Sequence, residues 1–294
     1  LGVLFLETYN DIKQGEKGAW LSIVAYIFLS AIKLFIGTVS GSQALLADGL
    51  NNSTDIIASI AVLIGLKISR RPPDSNHSYG HFRAETVASL IASFIMIAVG
   101  LQVLYQAVNK FIQPALESPD LIAAWTAVGC AVVMMAVYMY NIRLARAINS
   151  NAMRAVALDN RSDAIVSVGA FIGIVASSLG VPWLDPLTAI IVGLIICKTA
   201  WDIFSKATHD LTDGFDAEEL EHMKETVAEI DGVQSIKDIK ARIHGNNVLV
   251  DTTVLVDSQL SVVQSHDITE EIEEQLKDRH QVSNVLVHIE PVMK

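Results

Sequence analysis

The sequence predicts an α-helical membrane protein, a six-helix transmembrane domain followed by a small α+β domain. Three observations carry that reading. Hydrophobic residues make up 51% of the chain and charged residues only 18%, where a soluble domain carries nearer about a quarter. Mean hydropathy is +0.42. The apolar residues also crowd into the first two thirds, so that residues 18–206 read as membrane and 207–294 as an ordinary soluble sequence.

A spanning helix needs about 20 mainly apolar residues. Six stretches qualify: 18–40, 43–68, 84–111, 121–147, 153–179 and 186–206. Thr38–Ser42, Gln113–Asp120 and Gly180–Pro186 carry the Gly, Pro and Ser that end helices. Cations gather at the other connections: Lys13, Lys17, Lys67, Arg70, Arg71, Arg83, Arg143, Arg146, Arg154 and Lys206 fall at one set of helix ends. The opposite ends are nearly free of them, with Lys110 the main exception. The positive-inside rule then makes both termini cytoplasmic. Residues 1–17 become a cytoplasmic N-terminal segment, and Leu1–Gly18 is too mixed to read as a cleavable signal peptide.

The tail follows the order αββαβ. Ala217–Ile230 places Leu220, Met223, Val227 and Ile230 at helical spacing. Val233–Arg242 and Asn247–Asp257 read as strands around a Gly245-Asn246 turn. Val262–Arg279 is a second amphipathic helix and Val282–Glu290 a last strand. That order suits two helices on one face of a three-stranded sheet, a ferredoxin- or metallochaperone-like fold. The net charge of -11 sits almost wholly in this tail, which argues against nucleic acid as a partner. Cys130 and Cys197 both lie in apolar stretches, so no disulfide framework is expected.

Ionisable residues inside spans are costly and usually functional. The second span contains Asp48, Asn51, Asn52 and Asp55, and the fifth contains Asp159 and Asp163. Asp48 and Asn52 are four apart, as are Asp159 and Asp163, and that spacing puts each pair on one helix face. Two such faces turned together make a four-oxygen cage. Its three carboxylates balance a divalent cation and leave about one negative charge for protons. Helix caps or interhelical hydrogen bonds are the bland alternative. Asn51 and Asp55 are rivals on the same helix, and periodicity does not separate them from Asp48 and Asn52.

A second constellation is Asp74, His77 and His81, in the loop after the second span, with Gly80 allowing a tight turn. In the tail, His266, His288 and Glu290 are weaker candidates for a metal. His209, His222, His244 and His280 support no constellation.

Six spans, paired polar residues on spans two and five, the Asp-x-x-His-x-x-x-His loop and the αββαβ tail together resemble the cation diffusion facilitator family, over nearly the whole chain. The resemblance implies a homodimeric exporter of divalent cations, in exchange for protons, in the cell membrane. It carries the transport site onto Asp48, Asn52, Asp159 and Asp163, the loop site onto Asp74, His77 and His81, and a tail site onto His266, His288 and Glu290. Two further histidines of zinc members align with Lys237 and Thr253, which leaves a binuclear tail site in doubt. Zinc members carry His where this chain has Asp159, and Asp where it has Asn52. The all-oxygen set here is similar to that of the family's manganese exporters, and oxygen ligands suit Mn²⁺ better than Zn²⁺. Mn²⁺ is the expected cargo, with Fe²⁺ the near competitor and Zn²⁺ the alternative; Mg²⁺ dehydrates too reluctantly. No prosthetic group and no enzymatic activity are expected. An intramembrane aspartyl protease lacks its Tyr-Asp and Gly-x-Gly-Asp motifs here. A non-transporting metal sensor is the other rival, and the intramembrane cage argues against it.

Overall fold

A computed structural model of the chain describes the backbone of residues 2–69, 71–113, 119–147, 151–245 and 247–292; side chains of 1–17, 19, 62, 63, 66 and 151–155 lie outside the described set. Expectations that rested on the side chains of Lys13, Lys17, Arg70, Arg154 and Asn246 therefore fall outside it. Six long helices come first: α1 (Gly2–Ser40), α2 (Gln43–Ser69), α3 (Ala84–Ile112), α4 (Leu121–Ala147), α5 (Asn151–Ser178) and α6 (Leu184–Leu211). Then follow α7 (Ala217–Ala228), β1 (Ser235–His244), β2 (Asn247–Val256), α8 (Val262–His280) and β3 (Asn284–Pro291). The helical bundle with its three-stranded α+β tail is the expected fold class.

Among the described residues, five helices are long and apolar enough to cross a membrane: Trp20–Ser40 of α1, α3, α4, Val156–Ser178 of α5, and α6. The sixth long helix, α2, includes side chains outside the described set, and Asp48, Asn51, Asn52, Ser53, Thr54 and Asp55 crowd its first half. Its length is that of a span; its polarity belongs to what it carries.

Two compact units make up the chain, Leu1–Ile60 with Ala92–Asp202, and Ala61–Ile91 with Ile203–Lys294. In the first, α4 packs on α5 and on α1. Small residues set that packing: Ala44, Ala123, Ala124, Ala127 and Ala170 are all buried around Ile174. A second cluster joins Ala47 to Val103, Ala107, Ala189, Val192 and Ile196. Without a hydrophobic force between helices in lipid, such close backbone approach is what dispersion needs. The large apolar side chains point the other way, with Phe28, Phe35, Trp125 and Ile172 exposed as lipid-facing residues are.

One polar clamp fixes the start of α2. Asp185, at the head of α6, accepts hydrogen bonds from Ser42 Oγ at 2.6 Å, Gln43 N at 2.7 Å and Ala44 N at 3.3 Å. Ser42 in turn caps Leu45 N at 3.1 Å. Helix N-termini leave such N–H groups unsatisfied, and a buried carboxylate there satisfies several at once.

In the second unit, β1 pairs antiparallel with β2 and β2 parallel with β3. The β2–β3 crossover is α8, as a parallel connection requires. Along β2 burial alternates, with Val250, Thr252, Val254 and Val256 facing inward. The three valines meet Met223 and Val227 of α7 and Ile272 and Leu276 of α8 in one core, so both helices cover one face. Asp216 caps α7 by accepting from Glu218 N and Glu219 N. Ser261 and Gln264 form a reciprocal capping box on α8, and Gln281 ends it in the left-handed region at φ 55°.

Candidate metal site

The informative polar residues of α1, α2 and α5 lie together in the first unit, but not in the expected grouping. Lys33 of α1 is fully buried. Its Nζ lies 2.9 Å from Asp48 Oδ1, 2.6 Å from Asn52 Oδ1 and 2.9 Å from Ser167 Oγ. Asp48 and Asn52 are thus held by an ammonium group. Asp163 is held by Asn51, whose Nδ2 donates to Asp163 Oδ1 at 2.9 Å. The α2 face turned to Asp163 therefore starts at Asn51, one residue round from the Asp48/Asn52 face. Asp55 follows Asn51 by one helical turn, and its half-buried carboxyl lies within electrostatic reach of Asp163 and Asp159.

Asp159 is exposed, and its Oδ2 accepts from Tyr26 OH at 3.3 Å. Behind it runs a buried amide and hydroxyl network. Asn160 Nδ2 donates to Tyr26 OH at 2.9 Å, and Ser22 Oγ to Asn160 Oδ1 at 3.0 Å. Asn141 Nδ2 reaches both Ser22 Oγ and Asn160 Oδ1. These bonds tie α1, α4 and α5 together and fix the rotation of α5 that aims Asp159 and Asp163.

Asp55 Oδ2 and Asp163 Oδ2 are both buried with no hydrogen-bond partner among the described residues. Buried polar atoms are nearly always paired, so such an orphan needs an explanation. Two buried carboxylate oxygens without partners, on aspartates that act on one another electrostatically, have the donor chemistry of a hard divalent cation site.

Periodicity alone did not find Lys33, Tyr26, Asn141, Asn160, Ser167 or Asp185. For Lys33 the signal was present: a lysine within the apolar run Trp20–Ser40 meets the same cost argument as the aspartates. Tyr26, Asn141, Asn160 and Ser167 carry no charge to mark them, and Asp185 lies at the head of α6, where a carboxylate reads as an ordinary cap.

In the second unit, the loop after α2 brings its three candidates together. The ligand atoms of Asp74, His77 and His81 lie within 4.8 Å of one another, the one such group among the described residues. Asp74 Oδ1 accepts from Asn76 N at 2.9 Å and His77 N at 2.8 Å. These two backbone hydrogen bonds, that of Asn76 first, hold the Asp74 carboxyl below the usual carboxylate range. The His77 and His81 rings stand 4.3 Å apart, and Gly80 turns the chain at φ +81°. The loop touches the β1–β2 hairpin, where His244 meets the rings of Tyr79 and Phe82 edge-on. Arg83 pairs with Asp213.

The tail candidates do not converge. His266 sits 3.4 Å from Glu270, whereas Glu290 takes both of its hydrogen bonds from Lys237, at 2.7 and 2.8 Å. His288 lies 3.7 Å from Glu290. The ammonium of Lys237 occupies the carboxylate that a cation would need. His280 bridges Glu219 and Thr226 and joins α8 to α7.

The cation efflux transmembrane domain family matches residues 19–212, and the cation efflux protein cytoplasmic domain family matches residues 215–292. This chain belongs to the cation efflux family. The cation efflux protein is a transporter and not an enzyme. It is 56% identical over 287 residues to the manganese efflux system protein MneS of Bacillus subtilis (strain 168), covering 98% of this chain and 99% of that one. It is 54% identical to the uncharacterized transporter YdbO of the same organism, over 97% of this chain and 99% of that one. A third relative there, the manganese efflux system protein MneP, is 32% identical over 94% of this chain and 96% of its own.

Proposed function

We propose that this cation efflux protein exports Mn²⁺ from the cytoplasm in exchange for protons, through a site formed by Asn51 and Asp55 of α2 and Asp159 and Asp163 of α5. The observation that carries this is the pair of unpartnered buried oxygens, Asp55 Oδ2 and Asp163 Oδ2, beside the Asn51–Asp163 contact. Asp48 and Asn52, first expected in the site, are engaged by Lys33. Asn51 and Asp55 repeat the same i, i+4 spacing one face round. The donor set stays one amide and three carboxylates, so the oxygen argument for Mn²⁺ over Zn²⁺ is unchanged. The names of two of the relatives, both manganese efflux proteins, support the same cargo and direction.

Alternating access follows from competition. Metal and proton seek the same oxygens, so Mn²⁺ arriving on the cytoplasmic side displaces protons, and protons arriving on the other side displace Mn²⁺. The helices rock between the two states. Both termini are cytoplasmic, the protein sits in the cell membrane, and residues 207–294 form the soluble domain through which two chains pair. The Asp74, His77 and His81 group binds a second metal that orders the loop rather than travelling.

Metal uptake by proteoliposomes under a pH gradient tests this, comparing Mn²⁺, Fe²⁺ and Zn²⁺ for the wild type and Asp163→Ala. Mn²⁺ uptake that needs the gradient and disappears in a folded Asp163→Ala supports the reading. Preference for Zn²⁺ would remove the cargo assignment and leave the transporter standing; undiminished uptake by Asp163→Ala would remove the site.

A further inference from the structure

Along α5, Asp159, Asp163 and Ser167 follow one another at single-turn steps, and α2 runs antiparallel beside it. Asn51 meets Asp163, and Lys33 joins Asp48 and Asn52 to Ser167. The polar groups therefore form a ladder. Asp159 stands exposed at the end toward the start of α5. At the other end, toward the Ser40–Gln43 turn, Lys33, Asp48, Asn52 and Ser167 are all 0% exposed. The acidic site is open at one end and sealed at the other.

We propose that Lys33, clasped by Asp48, Asn52 and Ser167, is the closed far-side gate of the transport path, and that it must part for the metal to leave. The inference rests on the placement of the metal site at Asn51, Asp55, Asp159 and Asp163. All three ammonium hydrogens of Lys33 are used, one on each acceptor, so three helices meet at one point. The plug carries the same sign as the cargo, and repulsion between like charges is strong where water is excluded. Lysine also suits a part that moves, since its charge rides on a flexible four-carbon stem.

One further observation separates a gate from a strut. Asp48 Oδ2 and Asn52 Nδ2 are buried without hydrogen-bond partners, so the clasp is incompletely satisfied. A polar network in that state is poorly suited to permanent closure. Once Lys33 swings away, Asp48 and Asn52 are left as oxygen donors one step beyond the metal site, where a departing cation needs them.

A cross-link tests this directly. Ser30 Oγ and Ser53 Oγ are 2.6 Å apart, one turn below Lys33 on α1 and beside Asn52 on α2. In a Cys130→Ala/Cys197→Ala background, Ser30→Cys/Ser53→Cys places two thiols within disulfide reach. The gate predicts that the oxidised full-length protein in liposomes still binds Mn²⁺ but transports it at least about tenfold more slowly, with flux restored by reduction. Equal flux in the oxidised and reduced states overturns the gate, because α1 and α2 then need not part. Absence of Mn²⁺ binding in both states overturns the metal site itself, and the gate with it.

Where the cross-link does not form, Lys33→Met/Asp48→Asn carries the test, removing both charges at nearly constant volume. The gate predicts that liposomes preloaded with Mn²⁺ lose their gradient about tenfold faster than with the wild type. A gradient held as long as in the wild type makes the cluster a strut.

Discussion

Lys33 Nζ lies 2.9 Å from Asp48 Oδ1, and neither side chain is exposed at all. An ion pair so placed is costly to desolvate, and it is far costlier when one partner is removed. Lys33→Ala is therefore expected to destabilise the folded protein by about 3–5 kcal/mol, because Asp48 is left buried and uncompensated. Lys33→Met/Asp48→Asn should recover most of that loss. Thermal unfolding of the purified variants checks both; equal destabilisation by the single and double changes would mean the pair contributes nothing as a pair.

Asp185 holds α2 from the head of α6 through three hydrogen bonds, two of them from backbone N–H groups. Asp185→Ala leaves those donors buried without an acceptor and should cost about 2–4 kcal/mol. Asp185→Asn keeps one acceptor oxygen and should cost clearly less. The same unfolding experiment reads both, and hydrogen exchange at Gln43 and Ala44 should rise in the alanine variant.

At the loop, Asp74 should keep its charge, and with it its hold on a bound metal, to lower pH than an ordinary carboxylate does. The sign follows from the backbone hydrogen bonds that depress the Asp74 carboxyl. A depressed carboxylate keeps its charge above its lowered value and loses it only as pH falls further, below the ordinary carboxylate range of about 4. Asp74→Asn removes that charge and should lower metal affinity at the loop at neutral pH. Metal occupancy of the folded variant against the wild type decides it, and equal occupancy would take Asp74 out of the site.

Asp159→His replaces an oxygen ligand with imidazole, the ligand that suits zinc. Transport should shift from Mn²⁺ toward Zn²⁺, by about tenfold or more in the ratio of the two rates. Competition between the two ions in one liposome assay measures that ratio directly. An unchanged ratio would show that ligand softness at Asp159 does not set selectivity.

The bundle and its tail were legible because both rest on periodic patterns. Span lengths, and the αββαβ order with Val250, Thr252, Val254 and Val256 inward, came from apolar spacing. The convergence of Asp74, His77 and His81 was legible because the three side chains are close in sequence. The α2 pairing was not, because 48/52 and 51/55 share the same four-residue spacing, and only packing shows which face meets Asp163. Lys33 was overlooked although the cost of a buried charge marks it as clearly as the aspartates. Tyr26, Asn141 and Asn160 carry no charge, so their network depends wholly on how α1, α4 and α5 pack. The tail candidates lie apart for a local reason, since Lys237 lies beside Glu290 across the sheet and donates to its carboxylate.

The most direct measurement is Mn²⁺ flux through Asp55→Asn in proteoliposomes, alongside the wild type and a check that the variant is folded. Asp55 distinguishes the α2 face proposed here from the Asp48/Asn52 face. The account predicts a loss of more than about 100-fold, because one of three carboxylate ligands is gone. Flux within about twofold of the wild type would contradict it and return the site to the face that Lys33 now occupies.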